Sequence, residues 1–311
     1  MKIVFMGTPE FAVPSLDILI KNGYNIVGVV TSTDKYGGRG MKKLIESDVK
    51  KYALKQGLKI LQPKNLKAPD FIDELKSLKA DLQIVVAFRM LPEIVWNMPP
   101  LGTYNLHSSL LPKFRGAAPI NWAIIRGEKK TGVTSFKLQH KIDVGDILFQ
   151  EKISIGKDET AGELHGRLME LGAEVVLKTV EAIKMGKVEL KPQDSTKASS
   201  APKIFNDDCK IDWNKSNGEV YDFIRGLSPY PGAWTSLDKK IFKIFKCSKI
   251  ESTDGIEPGR IVTDNKKYLK IKTKDGYIDV KDVKMQGKKK MDIKSFLNGY
   301  KIKDNKVISE S

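Results

Sequence analysis

Hydrophobic and polar positions in the first half of the chain alternate between two periods. Ile3-Val4-Phe5-Met6 is a short apolar run closed by Gly7-Thr8-Pro9, and it predicts a strand. From Glu10 to Lys21 the apolar positions Phe11, Val13, Leu16, Leu19 and Ile20 fall at helical spacing. Asn22-Gly23 then stops the helix, and Asn25 to Thr31 predicts the next strand. A helix over Asp70 to Lys79 precedes a near-continuous apolar run from Asp81 to Phe88, the pattern of a strand covered on both faces. Further strands are predicted over Thr103 to Leu106, Thr131 to Leu138 and Gly145 to Ile153. Pro119 to Arg126 reads as a helix, and Thr160 to Met185 as a long amphipathic one. This alternation predicts an α/β domain over 1–190 with a Rossmann-like, mostly parallel open sheet.

The pattern changes near residue 190. Lys191 to Lys203 is rich in Ser, Pro, Lys and Ala without apolar periodicity, so 191–206 reads as a linker. In 207–311 one helix, from Ser216 to Leu227, is followed by short β-type runs at Ile241 to Phe245, Tyr268 to Thr273 and Tyr277 to Val283. Turns such as Asp275-Gly276 separate them, and a small β-barrel domain is predicted.

Composition narrows the class. Among 311 residues, 54 Lys+Arg face 38 Asp+Glu, a net charge of +16. Such an excess favours a polyanionic partner without identifying one. It is modestly denser from Asp207 onward, and the run Lys288-Lys289-Lys290 fits either a solvated turn or a phosphate contact. Apolar runs such as Ile84 to Phe88 are too short to span a bilayer, so no membrane association is expected. The strand-like start at Ile3 leaves no secretory signal. The two cysteines, Cys209 and Cys247, have no paired spacing, which disfavours a disulfide framework and a Cys-based metal site and fits a reducing cytoplasm.

Candidate chemistry is sparse. Gly7-Thr8-Pro9-Glu10 stands where a dinucleotide fold carries its glycine fingerprint, but the later glycines are missing and Glu10 would repel a pyrophosphate. Asn105-Leu106-His107 ends a strand, whose alternation puts Asn105 and His107 on one face. An amide that donates to a developing oxyanion beside an imidazole that moves a proton suits acyl transfer. The same pattern fits a buried histidine satisfied by a backbone carbonyl. Asp143, in Asp143-Val144-Gly145-Asp146, could hold an imidazolium or merely build a turn. Asp34 to Lys43, with three glycines and the basic residues Lys35, Arg39, Lys42 and Lys43, suits either an RNA-gripping loop or an exposed one. His140 reads as a surface residue and His165 as structural.

Together these segments resemble the methionyl-tRNA formyltransferase family of folate-dependent formyltransferases over essentially the whole chain. The resemblance is carried by MKIVFMGTPEFAVPSL at the start, the Gly38-Arg39-Gly40 loop and NLHSSLLPKFRGAAPINWAI from Asn105 to Ile124. DVGDIL at Asp143 to Leu148, APKI followed by IDW, and SPYPGAW at Ser228 to Trp234 complete it. It implies formyl transfer from 10-formyltetrahydrofolate to the α-amine of methionyl initiator tRNA, with Asn105, His107 and Asp143 as the catalytic group and no metal. It further implies folate contacts from Ser109, Leu110, Leu111 and Pro112, and from Phe88, Arg89 and Met90. For tRNA it points to Arg39, Lys42, Lys43 and Lys203 and to an OB-like C-terminal barrel, in a protein expected to be a cytoplasmic monomer. The chain departs from the family where Ala87 to Pro92 replaces a commoner A-Y-G-x-I-L-P and is about one residue shorter. Two alternatives remain: a formyltransferase acting on a nucleotide amine, either glycinamide or amino-sugar, and a non-catalytic tRNA-binding protein.

Overall fold

The computed structural model describes residues 1–37 and 43–303. In chain order the strands of the first half are β1 (Lys2–Gly7), β2 (Asn25–Val30), β3 (Lys35–Gly37), β4 (Lys43–Ile45), β5 (Ile60–Leu61), β6 (Leu82–Val86), β7 (Thr103–His107), β8 (Lys130–Lys137) and β9 (Ile147–Ser154). The helices are α1 (Val13–Lys21), α2 (Asp48–Lys55), α3 (Pro69–Ser77), α4 (Glu93–Trp96), α5 (Pro119–Ile125) and α6 (Ala161–Lys184). The C-terminal part adds α7 (Asn217–Gly226), β10 (Ala233–Leu237), β11 (Lys240–Glu251), β12 (Ile261–Thr263), β13 (Leu269–Lys272), β14 (Gly276–Met285), β15 (Met291–Asp292) and α8 (Ile293–Gly299).

Two compact units result. The first comprises Met1–Gly116, Thr131–Ile153 and His165–Ser200, and the second Ala117–Lys130, Ser154–Leu164 and Ala201 onward. The first unit is built on a seven-stranded sheet in the order β5-β2-β1-β6-β7-β8-β9. Pairs β5/β2, β2/β1, β1/β6 and β6/β7 are parallel, whereas β7/β8 is antiparallel. The mostly parallel α/β reading therefore holds. The chain winds outward from β1 in one direction and returns through β6 and β7 in the other, a topological switch that opens a crevice beyond the strand C-termini. One face of the sheet packs Val4, Met6, Val30 and Val85 against Phe71, Ile72, Leu75, Leu91 and Val95. Strand β6 is buried at every position, Gln83 included, as befits a strand covered on both faces.

Helix α6 lies close behind β7. A Cβ at Gly172 would come within 2.6 Å of a Leu106 methyl, so glycine sets that approach. Thr179 Oγ1 donates to Ser135 Oγ on β8 at 2.8 Å. Segment 191–200, linker-like in composition, is hydrogen-bonded within this unit. Lys191 and Ile147 exchange backbone bonds of 2.8 Å in both directions, and Arg115 N donates to Ser199 O at 2.8 Å. A polar segment can be held by its main chain without apolar periodicity, which is why composition reads it as free.

In the second unit β10-β11-β14-β13-β12 form an antiparallel sheet, with β15 paired to β14. Register shifts between Ile244 and Cys247 bend β11, the kind of irregularity that curls a sheet towards a barrel. Helix α7 starts with a capping box, Ser216 and Glu219 each satisfying the other's backbone N–H. Val220, Tyr221 and Ile224 on α7 pack into a core with Phe242, Ile244, Ile271, Ile278 and Val280. Helix α5 joins this unit: Asn121 Nδ2 donates to Gly226 O at 2.7 Å, and a Cβ at Gly226 would meet Ile125 Cγ1 at 2.7 Å.

Candidate functional site

Strand β7 delivers Asn105 and His107 to one face at the carboxyl end of the sheet. Asn105 lies opposite Val85 on β6 and Phe136 on β8, and His107 lies opposite Thr134. Asn105 is half-buried, and its side-chain amide has no hydrogen-bond partner among the described residues. His107 is buried, 6% exposed, and is held by two loops. Its Nε2 lies 2.8 Å from Phe114 O, and its Nδ1 faces Asp143 Oδ2 at 3.8 Å. One ring nitrogen is thus within hydrogen-bond distance of an oxygen, and the other has a carboxylate oxygen beyond that distance. A backbone carbonyl takes one nitrogen of the histidine and a carboxylate faces the other.

Asp143 is tightly placed. Gly116 N donates to its Oδ2 at 2.9 Å, and its own backbone adopts φ +53°. Phe114 at φ +62° and Ala87 at φ +47°, one residue beyond the Val86–Leu106 pair, share this left-handed region. That region is uncommon for residues other than glycine, and Asp reaches it more readily than Phe or Ala.

Residues 109–112 wrap beneath the site. Ser109 is buried, its hydroxyl donating to Lys113 O at 2.6 Å while its carbonyl accepts from Thr134 Oγ1 at 2.6 Å. Leu111 is buried, its N–H donating to Thr134 Oγ1 at 3.1 Å and its carbonyl accepting from Gln150 Nε2 at 2.7 Å. Leu110 and Pro112 are half-buried. Beyond β6 a groove of about 900 Å³ is lined by Lys64, Lys67, Arg89, Met90, Leu91 and Ile94, among others. Arg89 donates to Lys64 O at 2.9 Å and to Pro63 O, and its guanidinium lies 5.8 Å from the Phe88 ring centroid. Met90 is 76% exposed.

Lys43 is exposed on β4, which pairs with β3 in a short hairpin. Arg39 and Lys42 lie outside the described residues. Lys203 is exposed in the second unit, its Nζ 5.1 Å from the Phe205 ring. His140 is exposed, 3.4 Å from Glu93 and edge-on to Trp96. His165 packs edge-on against Phe11, and burial pulls its imidazole below the ordinary range. Sequence reading missed Asp34, which accepts from Lys50 and from Gln62 Nε2 and anchors the base of the β3–β4 hairpin. Its partners lie 16 and 28 residues away, so no local pattern marks it.

The model of the formyl transferase family matches residues 1–180, and that of the formyl transferase C-terminal domain matches residues 203–301. The chain belongs to the formyl transferase family. Among its relatives, a methionyl-tRNA formyltransferase of Azobacteroides pseudotrichonymphae is 54% identical over 309 residues, covering 96% of this chain and 95% of that one. That of Phocaeicola vulgatus is 52% identical over 318 residues, covering 99% and 98%. Among solved structures, the sugar 3N-formyl transferase WlaRD, determined in the presence of dTDP and 5-N-formyl-THF, superposes with a TM-score of 0.67. At 21% identity, covering 93% of this chain and 99% of that one, it supports the fold alone.

Proposed function

We propose that this member of the formyl transferase family moves the formyl group of 10-formyltetrahydrofolate onto the α-amine of methionyl initiator tRNA, using Asn105, His107 and Asp143. The observation that carries the activity is identity of about half over nearly the whole of both chains to methionyl-tRNA formyltransferases. A sugar-directed reading has only fold-level similarity behind it.

The residue roles follow from charge. When the amine attacks the formyl carbon, the carbonyl oxygen gains negative charge, and a preorganised donor beside it lowers the barrier. The Asn105 amide, free among the described residues, is such a donor, and protonated His107 on the same strand face is a second. Asp143, facing Nδ1, keeps the ring charged and oriented. The proton lost by the amine passes to the departing folate nitrogen through water beside Asp143. Phe88, Arg89 and Met90 form part of the folate-binding wall, and 109–112 contribute apolar surface, because the Ser109 hydroxyl and the Leu111 N–H and carbonyl are committed within the protein. Arg39, Lys42, Lys43 and Lys203 contact the tRNA. The protein works as a cytoplasmic monomer without membrane attachment; no helix among the described residues is long and apolar enough to cross a bilayer.

The test is incubation with 10-formyltetrahydrofolate and charged initiator tRNA, reading formylmethionine. His107→Ala should lower turnover by about 100- to 10,000-fold while leaving folate binding largely intact. Wild-type turnover in that variant would remove His107 from the chemistry.

A further inference from the structure

Gln193 stands in the segment that composition reads as linker, yet its side-chain amide is fully engaged beside Asp143. Its Nε2 donates to Asp143 O at 2.9 Å and to Gly145 O at 2.8 Å. Its Oε1 accepts from Arg115 Nε at 3.2 Å and from Arg115 Nη2 at 2.7 Å. Both donors and both lone pairs of the amide are thereby used.

These bonds close a ring. Arg115 precedes Gly116, whose N–H holds the Asp143 carboxylate at 2.9 Å, while Gln193 holds the Asp143 carbonyl. Asp143 is held through backbone and side chain at once, in a left-handed turn at φ +53°. Gln193 is itself anchored, because Lys191, two residues earlier, exchanges two backbone bonds with Ile147 at the start of β9.

We infer that Gln193 is a positioning residue for formyl transfer: its amide fixes the left-handed turn at Asp143 and so sets where the carboxylate stands relative to His107. This rests on the reading of Asp143 as a member of the catalytic group. Sub-ångström placement of a reacting constellation is worth large factors in rate, so loosening the turn should act on kcat rather than on substrate affinity.

The test compares wild type, Gln193→Met, Gln193→Glu, Asp143→Asn and the Gln193→Met/Asp143→Asn double variant. It measures kcat and KM for formyl donor and for methionyl-tRNA, together with thermal unfolding. Met keeps the length without the polar atoms; Glu keeps acceptors for Arg115 but loses both donors. The expected result is a fall in kcat of about 10- to 100-fold for both Gln193 variants, with KM values and Tm nearly unchanged. The loss should vanish in the Asp143→Asn background, because residues acting through one another are not additive. Full kcat in the Gln193 variants beside an impaired Asp143→Asn overturns the proposal alone, and so does an equal loss in both backgrounds. Failure of both Gln193 variants to fold marks a structural role and also overturns it. Wild-type kcat in Asp143→Asn removes the catalytic reading of Asp143, and this proposal with it.

Discussion

At the scale of single residues, steric demands from neighbouring strands decide what the site loop tolerates. Gly145 is buried, and a Cβ there would be driven into the Lys137 carbonyl while meeting the Phe136 ring at 3.0 Å. The same stretch is tied down by Lys137 N donating to Asp146 O at 2.9 Å. Gly145→Ala is therefore expected to destabilise the protein by about 1–3 kcal/mol, the usual cost of overpacking, and to reduce turnover by displacing Asp143. Urea unfolding checks the first part; an unchanged midpoint would mean that the loop yields freely. In the sequence Gly145 looks like any turn glycine beside an Asp. The requirement comes from β8, which no local pattern brings to that point.

At the scale of elements, the C-terminal sheet carries an ion pair between a buried lysine and an exposed aspartate that the sequence does not announce. Lys272 on β13 has a side chain only 3% exposed, and its Nζ donates to Asp254 Oδ1 at 2.7 Å and to Ser252 O at 3.2 Å. Tyr277 on β14 donates its hydroxyl to Asp254 Oδ2 at 2.6 Å. The bonds from Lys272 and then Tyr277 hold the Asp254 carboxyl well below its ordinary value of 3.8. Burial, reinforced by Asp254, pushes the Tyr277 hydroxyl up to about 12. A depressed carboxyl stabilises the fold above its unfolded value and loses that contribution as pH falls. A raised phenol gives stability that is complete below its ordinary value of 10 and lost as pH rises towards 12. Asp254→Asn should therefore lower Tm at neutral pH, with the gap to wild type closing as pH falls below 3.8. A gap constant from pH 7 to 3 would exclude a role for Asp254 ionisation. Elements with a clean period were legible from sequence: β1, α1, β6 and α6 lie within a few residues of their expected bounds. Helix α2 was missed because its apolar stripe is short, Val49 and Ala53 being its buried residues. Strand β11 extends beyond Ile241–Phe245 to Glu251 because main-chain pairing to β14 carries it past the apolar core.

At the scale of the whole molecule, the net charge of +16 suits a polyanionic acceptor such as the proposed initiator tRNA. Phosphate contacts release counterions, so tRNA affinity should fall linearly on a log–log plot against salt, by about tenfold or more between 50 and 200 mM. A flat response in a filter-binding titration would argue that the acceptor is held without phosphate contacts.

The chain's own order determined the alternating α/β pattern, the Asn105–His107 pairing on one strand face and the formyltransferase motifs, because these depend on periodicity and on short runs of adjacent residues. Only the tertiary structure decided that Phe114 O and Asp143 flank the His107 ring, that α5 packs with α7, and that a polar stretch near residue 193 clamps the turn at Asp143. The physical reason is range. Hydrophobic period is a local signal, whereas a hydrogen bond between Gln193 and Asp143 spans 50 residues of chain and depends on where folded strands bring two backbones together.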